Sequence, residues 1–164
     1  MSHHIDVSFD HPANAGLLRY LARRSGQRTP QSVAPESVLD PYYRLGTHPD
    51  LVARLWDEIT VRLPVDCRWV VYSTPVLAHP QTGIVFAFAG GTHSYALRLP
   101  EHARLEAVRA GATRVHSYTG GSTLDLSEIG QEWIFGNWFP GESDWCVAAY
   151  EFAGSPSHPP DATA

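Results

Sequence analysis

The sequence predicts a single α+β domain with a mainly antiparallel sheet, a central β-hairpin and about three helices packed on the sheet. The hairpin is predicted over residues 83–100, where two alternating apolar runs flank Gly90 and Gly91. A Gly-Gly pair readily supplies the positive φ angles of a tight turn. Helical patterns occur mainly in the first half of the chain and strand patterns in its centre. Helices spaced so widely among strands do not build a regular parallel sheet, so the α+β class follows.

Amphipathic patterns predict the helices, because each combines an apolar stripe of helical spacing with a capping residue before it or a Gly or Pro after it. The expected helices span residues 13–25, 47–63 and 101–110. Asn14 and Thr47 are the predicted N-caps of the first two helices. Leu105 and Val108 are expected to face the core from the third helix.

The remaining periodic segments predict strands that complete the sheet. They span residues 67–72, 113–118, 123–126 and 144–152. Within the hairpin, the spacing about the Gly-Gly pair predicts a register that joins Phe88 to His93 and Phe86 to Tyr95 on one bulky face. Between the first strand and the hairpin, two prolines predict a turn or an irregular edge, because proline cannot donate a ladder hydrogen bond.

The predicted domain spans residues 1–152. Within it, residues 1–12 are expected as a short edge strand or a loose arm, because their alternation is sparse. Residues 153–164 are expected to form a disordered tail, because they are rich in Gly, Ser, Pro and Ala and have too few apolar side chains to fold. The only cysteines, Cys67 and Cys146, are expected to be reduced and buried, because two cysteines define neither a zinc site nor a disulfide framework.

Composition excludes several classes of function. The chain of 164 residues has a formal charge of -5 and a hydrophobic fraction of 43%, which suit a soluble globular domain. A mildly acidic chain has no general attraction for nucleic acid or anionic membranes, so neither is an expected partner. The sequence has no signal-peptide pattern and no apolar run of membrane length, which predicts a cytoplasmic protein. It also has no lysine, which excludes a Schiff-base nucleophile and the usual phosphate-binding loop.

Aromatic side chains of the strands and of residues 133–145 are the predicted binding residues. Trp combines a large apolar area with one polar N–H group, and loops of Gly and Pro hold such side chains at the edge of a domain. These residues predict a non-catalytic domain that binds a partner protein or a small ligand in an aromatic pocket or patch. The predicted set comprises Tyr72, Phe88, His93, Tyr95, Trp133 and Trp138.

Histidines support an alternative hypothesis, a small metal-assisted hydrolase. Neutral imidazole is a common metal ligand, and it titrates near neutral pH. His79, His93 and His116 would bind the ion, together with Asp66 or Glu132. Their spacing matches no short ligand motif, so this hypothesis requires the fold to bring them together.

A third hypothesis is a self-assembling subunit. It requires the predicted strand at residues 144–152 to lie at a sheet edge and to pair with a second copy, giving a homo-oligomer. No motif in the sequence identifies a catalytic residue or a cofactor, and the question whether the chain is an enzyme is left open.

Overall fold

The computed structural model describes residues 6–27, 31–89, 95–117, 123–136, 138 and 140–155, with the backbone alone at 115–117, 123–125 and 127. Its strands are β1 Ser32–Val33, β2 Arg68–Val71, β3 Thr74–Ala78, β4 Val85–Ala89, β5 Tyr95–Arg98, β6 Val115–Ser117, β7 Thr123–Asp125 and β8 Trp133–Gly136. Six of them form an antiparallel sheet in the order β1-β2-β3-β4-β5-β8, and β6 pairs with β7 in a second sheet. These sheets, with the helices below, confirm the predicted α+β class.

The described residues form the α-helices α1 Pro12–Ser25, α2 Pro49–Ala53, α3 Glu101–Arg109 and α4 Glu142–Ala153. α1 and α3 match predicted helices within one residue at each end. α2 continues as a π-helix over Arg54–Glu58, so the second predicted helix is shorter and less regular than expected. In the part of the chain that the structure describes, no helix has the length and apolar content needed to span a membrane.

Apolar side chains cover both faces of the six-stranded sheet. On one face, α2 and α4 pack on strand residues such as Leu77 and Leu97 and form the front core. On the other face, α1 packs on residues such as Val76 and Phe88 and forms the back core. Because successive side chains of a strand point to opposite faces, the central strands are buried on both sides.

The predicted hairpin is present, but its register differs from the prediction. Phe88 pairs with Ala96 instead of His93, and Ala89 pairs with Tyr95. The shift is an odd number of residues, so it moves side chains to the opposite face of the sheet. Phe88 therefore lies in the back core and Tyr95 in the front core. The predicted division of the hairpin into one bulky and one small face is wrong.

β3 occupies the segment in which the prolines predict a turn, and it lies inside the sheet between β2 and β4. The register places Pro75 one position beyond the pair of Val76 and Phe88, and hence opposite Ala89. Pro75 has no N–H to donate there. The Thr47 hydroxyl, just before α2, donates to the Ala89 carbonyl at 3.4 Å instead. This side-chain donor is what allows a proline in a central strand.

Residues 144–152 are helical, so the prediction of a final strand is wrong. They belong to α4, which buries Cys146, Ala149 and Ala153 in the front core. These small side chains recur at helical spacing and let the helix approach the sheet closely. The self-assembly hypothesis loses its basis, because the edge strand that it requires is a helix.

α3 packs with the face opposite to the predicted one. Ala107 is 1% exposed, whereas Leu105 and Val108 are 51% and 53% exposed. The structure instead packs α3 on the front core through Ala103 and Ala107.

Candidate functional site

A groove lies between α3 and α4, beside the segment that follows β8. Its inner part has a volume of about 260 Å³, and its outer part has a volume of about 370 Å³. Pro140 and Trp145 line both parts, so the two adjoin. We call this recess the tryptophan groove. Its remaining lining residues are Ala107, Ala110, Ala112, Gly136 and Trp138 in the inner part, and Ala103, Glu106, Gly141, Asp144 and Ala148 in the outer part.

Trp138 forms one wall of the inner part, and its surroundings fix the ring. Its φ is +62°, in the left-handed region that bulky side chains rarely adopt. Its indole N–H donates to the Tyr95 carbonyl at 3.0 Å, and the two rings stack with centroids 6.2 Å apart. Gly136 lies against the indole, where a Cβ atom would come 2.9 Å from the ring. A glycine two residues before the tryptophan is therefore required for the ring to lie here.

Trp145 supplies the second aromatic wall from α4. Its side chain is half-buried, and its ring centroid lies 5.5 Å from that of Trp138 at an interplanar angle of 57°. The two indoles thus form a corner. α4 begins after Gly141, and Glu142 and Asp144 lie in its first turn, where carboxylates stabilise the positive end of the helix dipole.

A polar cluster fixes the start of α4 beside this corner. The Tyr95 hydroxyl donates to the Glu142 carboxylate at 3.4 Å, and the Arg54 guanidinium lies 3.4 Å from the same oxygen. Burial raises the pKa of Tyr95, and the neighbouring Glu142 charge raises it further, so the phenol stays protonated. Because Arg54 belongs to the π-helix that follows α2, this cluster holds two front-core helices together next to the groove.

The predicted binding residues do not converge on one site. The five that the structure describes are at most 6% exposed, and they divide between the two faces of the sheet. Trp138 is the member of the set that lines the groove. Tyr72, Phe88 and Trp133 lie in the back core, Tyr95 and Trp138 lie in the front core, and His93 falls outside the described residues.

His79, the first predicted metal ligand, is buried in the protein interior. Its Nδ1 accepts the N–H of Gln81 at 3.1 Å, and its ring lies 4.5 Å from that of Tyr150. Gly154 packs against the other edge of the imidazole, where a Cβ atom would overlap the ring. Burial lowers the pKa of His79. These contacts give the side chain a structural role.

The carboxylates predicted to join the histidines lie beside arginines instead. Asp66 accepts hydrogen bonds from Arg68 at 2.9 and 3.0 Å, which hold the pKa of this carboxyl below its usual range. Burial lowers the pKa of Arg98 to about 10, and the Glu132 charge opposes this shift. Among the described residues, no three His, Cys, Asp or Glu side chains are placed to hold a metal ion. His93 and the side chain of His116 lie outside what the structure describes.

The two cysteines are free thiols in the front core. Burial raises the pKa of both Cys67 and Cys146 to about 12. A thiol is a nucleophile only as the thiolate, so neither cysteine is activated for covalent chemistry at neutral pH.

The sequence-based prediction included Trp145 in its aromatic segment but not in its set of binding residues, and it missed the alanines at Ala103, Ala107 and Ala110. Trp145 was assigned to a strand, which separates it from Trp138. Ala103, Ala107 and Ala110 recur at a spacing that places them on one helix face. That stripe of small residues is the signal that could have indicated a close approach of α3 to bulky neighbours.

Among the described residues that line the groove there are aromatic side chains, small apolar side chains and two carboxylates at the outer part, but no nucleophile or imidazole. Comparisons with protein-family models, curated proteins and solved structures find no match to this chain. The geometry of the groove is therefore the basis for any functional conclusion.

Proposed function

We propose that this protein is a non-catalytic binding domain that takes a small ligand in the tryptophan groove. The observation that carries the proposal is the fixed corner of Trp138 and Trp145, whose ring centroids lie 5.5 Å apart. Aromatic walls that are immobile before binding cost little conformational entropy when a ligand arrives. A concave recess that combines apolar and aromatic side chains with a few polar groups is the usual form of a small-molecule site.

The backbone at Trp138 supports the proposal. A φ of +62° is unfavourable for a tryptophan, and such strain costs on the order of 1–3 kcal/mol and is concentrated at ligand sites and clamps. Positive φ is not confined to the groove in this protein, because Tyr72 in the turn between β2 and β3 has a φ of +49°. The strain is accounted for if the position of the indole serves the groove.

The volume of the groove favours a small ligand over a partner protein. Its two parts measure about 260 and 370 Å³, comparable with the roughly 300–1,000 Å³ of small-molecule sites. A protein partner would use a broader surface of about 800 Å² on each side. The metal-dependent alternative has no specific observation in its favour.

Binding of prodan, an uncharged dye whose emission shifts in apolar surroundings, tests this proposal. Wild-type protein should give a saturable blue shift that Trp145→Ala weakens by about tenfold or more, because one wall of the corner is removed. Ala110→Leu should weaken the signal too, since it fills the inner part of the groove without removing a packing contact. Trp69→Ala is the matched control, because Trp69 packs against the back core.

The fold of each variant is checked by circular dichroism and urea unfolding. An equal loss of dye binding in Trp69→Ala and Trp145→Ala would contradict the proposal, as would unchanged binding in both groove variants.

A further inference from the structure

We infer that the ligand of the tryptophan groove is a small organic cation of the alkylammonium class. This inference rests on the proposed function and names its ligand. It follows from the pair of indoles in the lining, the charges at the groove and its size.

Two indoles, those of Trp138 and Trp145, line the inner part of the groove. A cation is attracted to the face of an indole within about 6 Å of the ring centroid, and the two centroids here are 5.5 Å apart. A group seated in the corner is therefore within reach of both rings. The N–H of Trp138 is already bound to the Tyr95 carbonyl at 3.0 Å. Because this donor is occupied, Trp138 offers the groove no free N–H group that would select an anion.

Charges at the groove also favour a cation. Glu106 and Asp144 line the outer part, and no Lys or Arg is among the described lining residues. Ala107 and Ala110 bring the C-terminal end of α3, the negative end of its dipole, to the inner part.

Two basic residues partly offset these charges. Arg62 pairs with Asp144, and His102 lies 3.2 Å from Glu106. Both carboxylates remain more than half exposed on their side chains, so they stay accessible to a ligand. The net charge of the whole chain, -5, adds a weak attraction for cations.

The lining favours a cation with short alkyl substituents over a bare ammonium group. Ala103, Ala107, Ala110 and Pro140 present methyl and methylene groups that can contact N-methyl groups. The inner part, at about 260 Å³, accommodates a group of trimethylammonium size. An ion that spreads its charge over methyl groups also loses less hydration on entering such a recess than a primary ammonium ion does.

A comparison of choline with dimethylbutanol, its uncharged isostere, separates the effect of the ligand's charge on binding from the effect of its shape. The protein is labelled with fluorotryptophan, and fluorine NMR follows each of its five tryptophans, assigned by Trp→Phe variants. Choline should shift the Trp138 and Trp145 resonances saturably and bind at least about tenfold more tightly than dimethylbutanol. Glu106→Gln should weaken choline binding severalfold. Glu106 belongs to α3. The control Glu151→Gln removes the same charge from α4, outside the groove lining, and it should leave choline binding unchanged.

The outcomes distinguish this inference from the proposed function. Equal or tighter binding of dimethylbutanol would overturn the cation inference and leave the apolar groove in place. Failure of choline to shift either resonance while prodan still binds would likewise overturn the inference alone. If neither choline nor prodan binds, both the inference and the proposed function fall.

Discussion

In the part of the chain that the structure describes, the histidines that precede proline share one local role. His11, His48 and His79 each accept, through Nδ1, the N–H of the residue two positions on, at 3.0 to 3.1 Å. The imidazole Nδ1 stands where the side-chain oxygen of an Asx turn would stand. The first two histidines thereby cap α1 and α2, positions for which the sequence predicts Asn14 and Thr47.

Asn14 shows why the cap of α1 was misassigned. Its amide donates to the carbonyls of Ser8 and Gly83 and accepts the N–H of Val85. The side chain thus joins the N-terminal segment to the start of β4 inside the protein. A buried amide with three partners looks, in the sequence alone, the same as an exposed cap.

The buried His79 and the partly buried His11 predict a loss of stability in acid. Burial lowers the pKa of folded His79 from its ordinary value of 6.5, and burial with the Arg98 charge lowers that of His11. Below about pH 6.5 the unfolded chain therefore binds more protons than the folded chain, and the free energy of unfolding falls as the pH falls. Above that pH the contribution is fully present.

Urea unfolding between about pH 8 and pH 5 measures this dependence. His79→Asn keeps an acceptor for the Gln81 N–H but removes the titrating ring, so its stability should decline less on acidification than that of the wild type. His102→Asn is the control, because the His102 side chain is 88% exposed. Parallel pH profiles for wild type and His79→Asn would contradict the structural role assigned to this ring.

At the level of elements, α4 shows how composition misleads. Its sequence contains Trp, Val, Tyr and Phe, which favour strands, and its residues alternate in size closely enough to suggest a period of two. Glu142 and Asp144 in the first turn and the spacing of Cys146, Ala149 and Ala153 indicate a helix. The helical signal was present, but it was carried by small residues whose burial contributes little to hydrophobic periodicity.

Contact between α1 and the turn before β8 predicts a reversal of the usual effect of glycine in a helix. Replacing a helical glycine by alanine normally stabilises by roughly 0.5–1 kcal/mol. Gly16 lies against the backbone of Ile129, where a Cβ atom would overlap the Ile129 carbonyl. Gly16→Ala should therefore lower the free energy of unfolding by about 1–3 kcal/mol or more.

Gly26→Ala provides the comparison for this test, because nothing lies within 4 Å of a Cβ there. Its expected cost is about 1 kcal/mol, from the left-handed backbone of the helix C-cap alone. A Gly16→Ala variant as stable as the wild type in urea unfolding would show that α1 does not approach Ile129 as closely as described.

For the whole molecule, patterns within single segments predicted the α+β class, α1, α3 and the central hairpin. The tryptophan groove could not be predicted in the same way, because it depends on the relative placement of α3, α4 and β8. Trp138 was chosen for its chemistry, but its partner Trp145 faces it only if residues 144–152 are helical. Hairpin register was missed because the turn signal fixes where the chain reverses and leaves the loop length open.

The central claim is that a ligand binds in the tryptophan groove, against Trp138 and Trp145. Fluorine NMR of the fluorotryptophan-labelled protein saturated with prodan tests it most directly, since the chain has only five tryptophans. We expect the Trp138 and Trp145 resonances to shift together, while those of Trp56, Trp69 and Trp133 stay in place. Shifts confined to the latter three, or no shift at any position, would contradict the account.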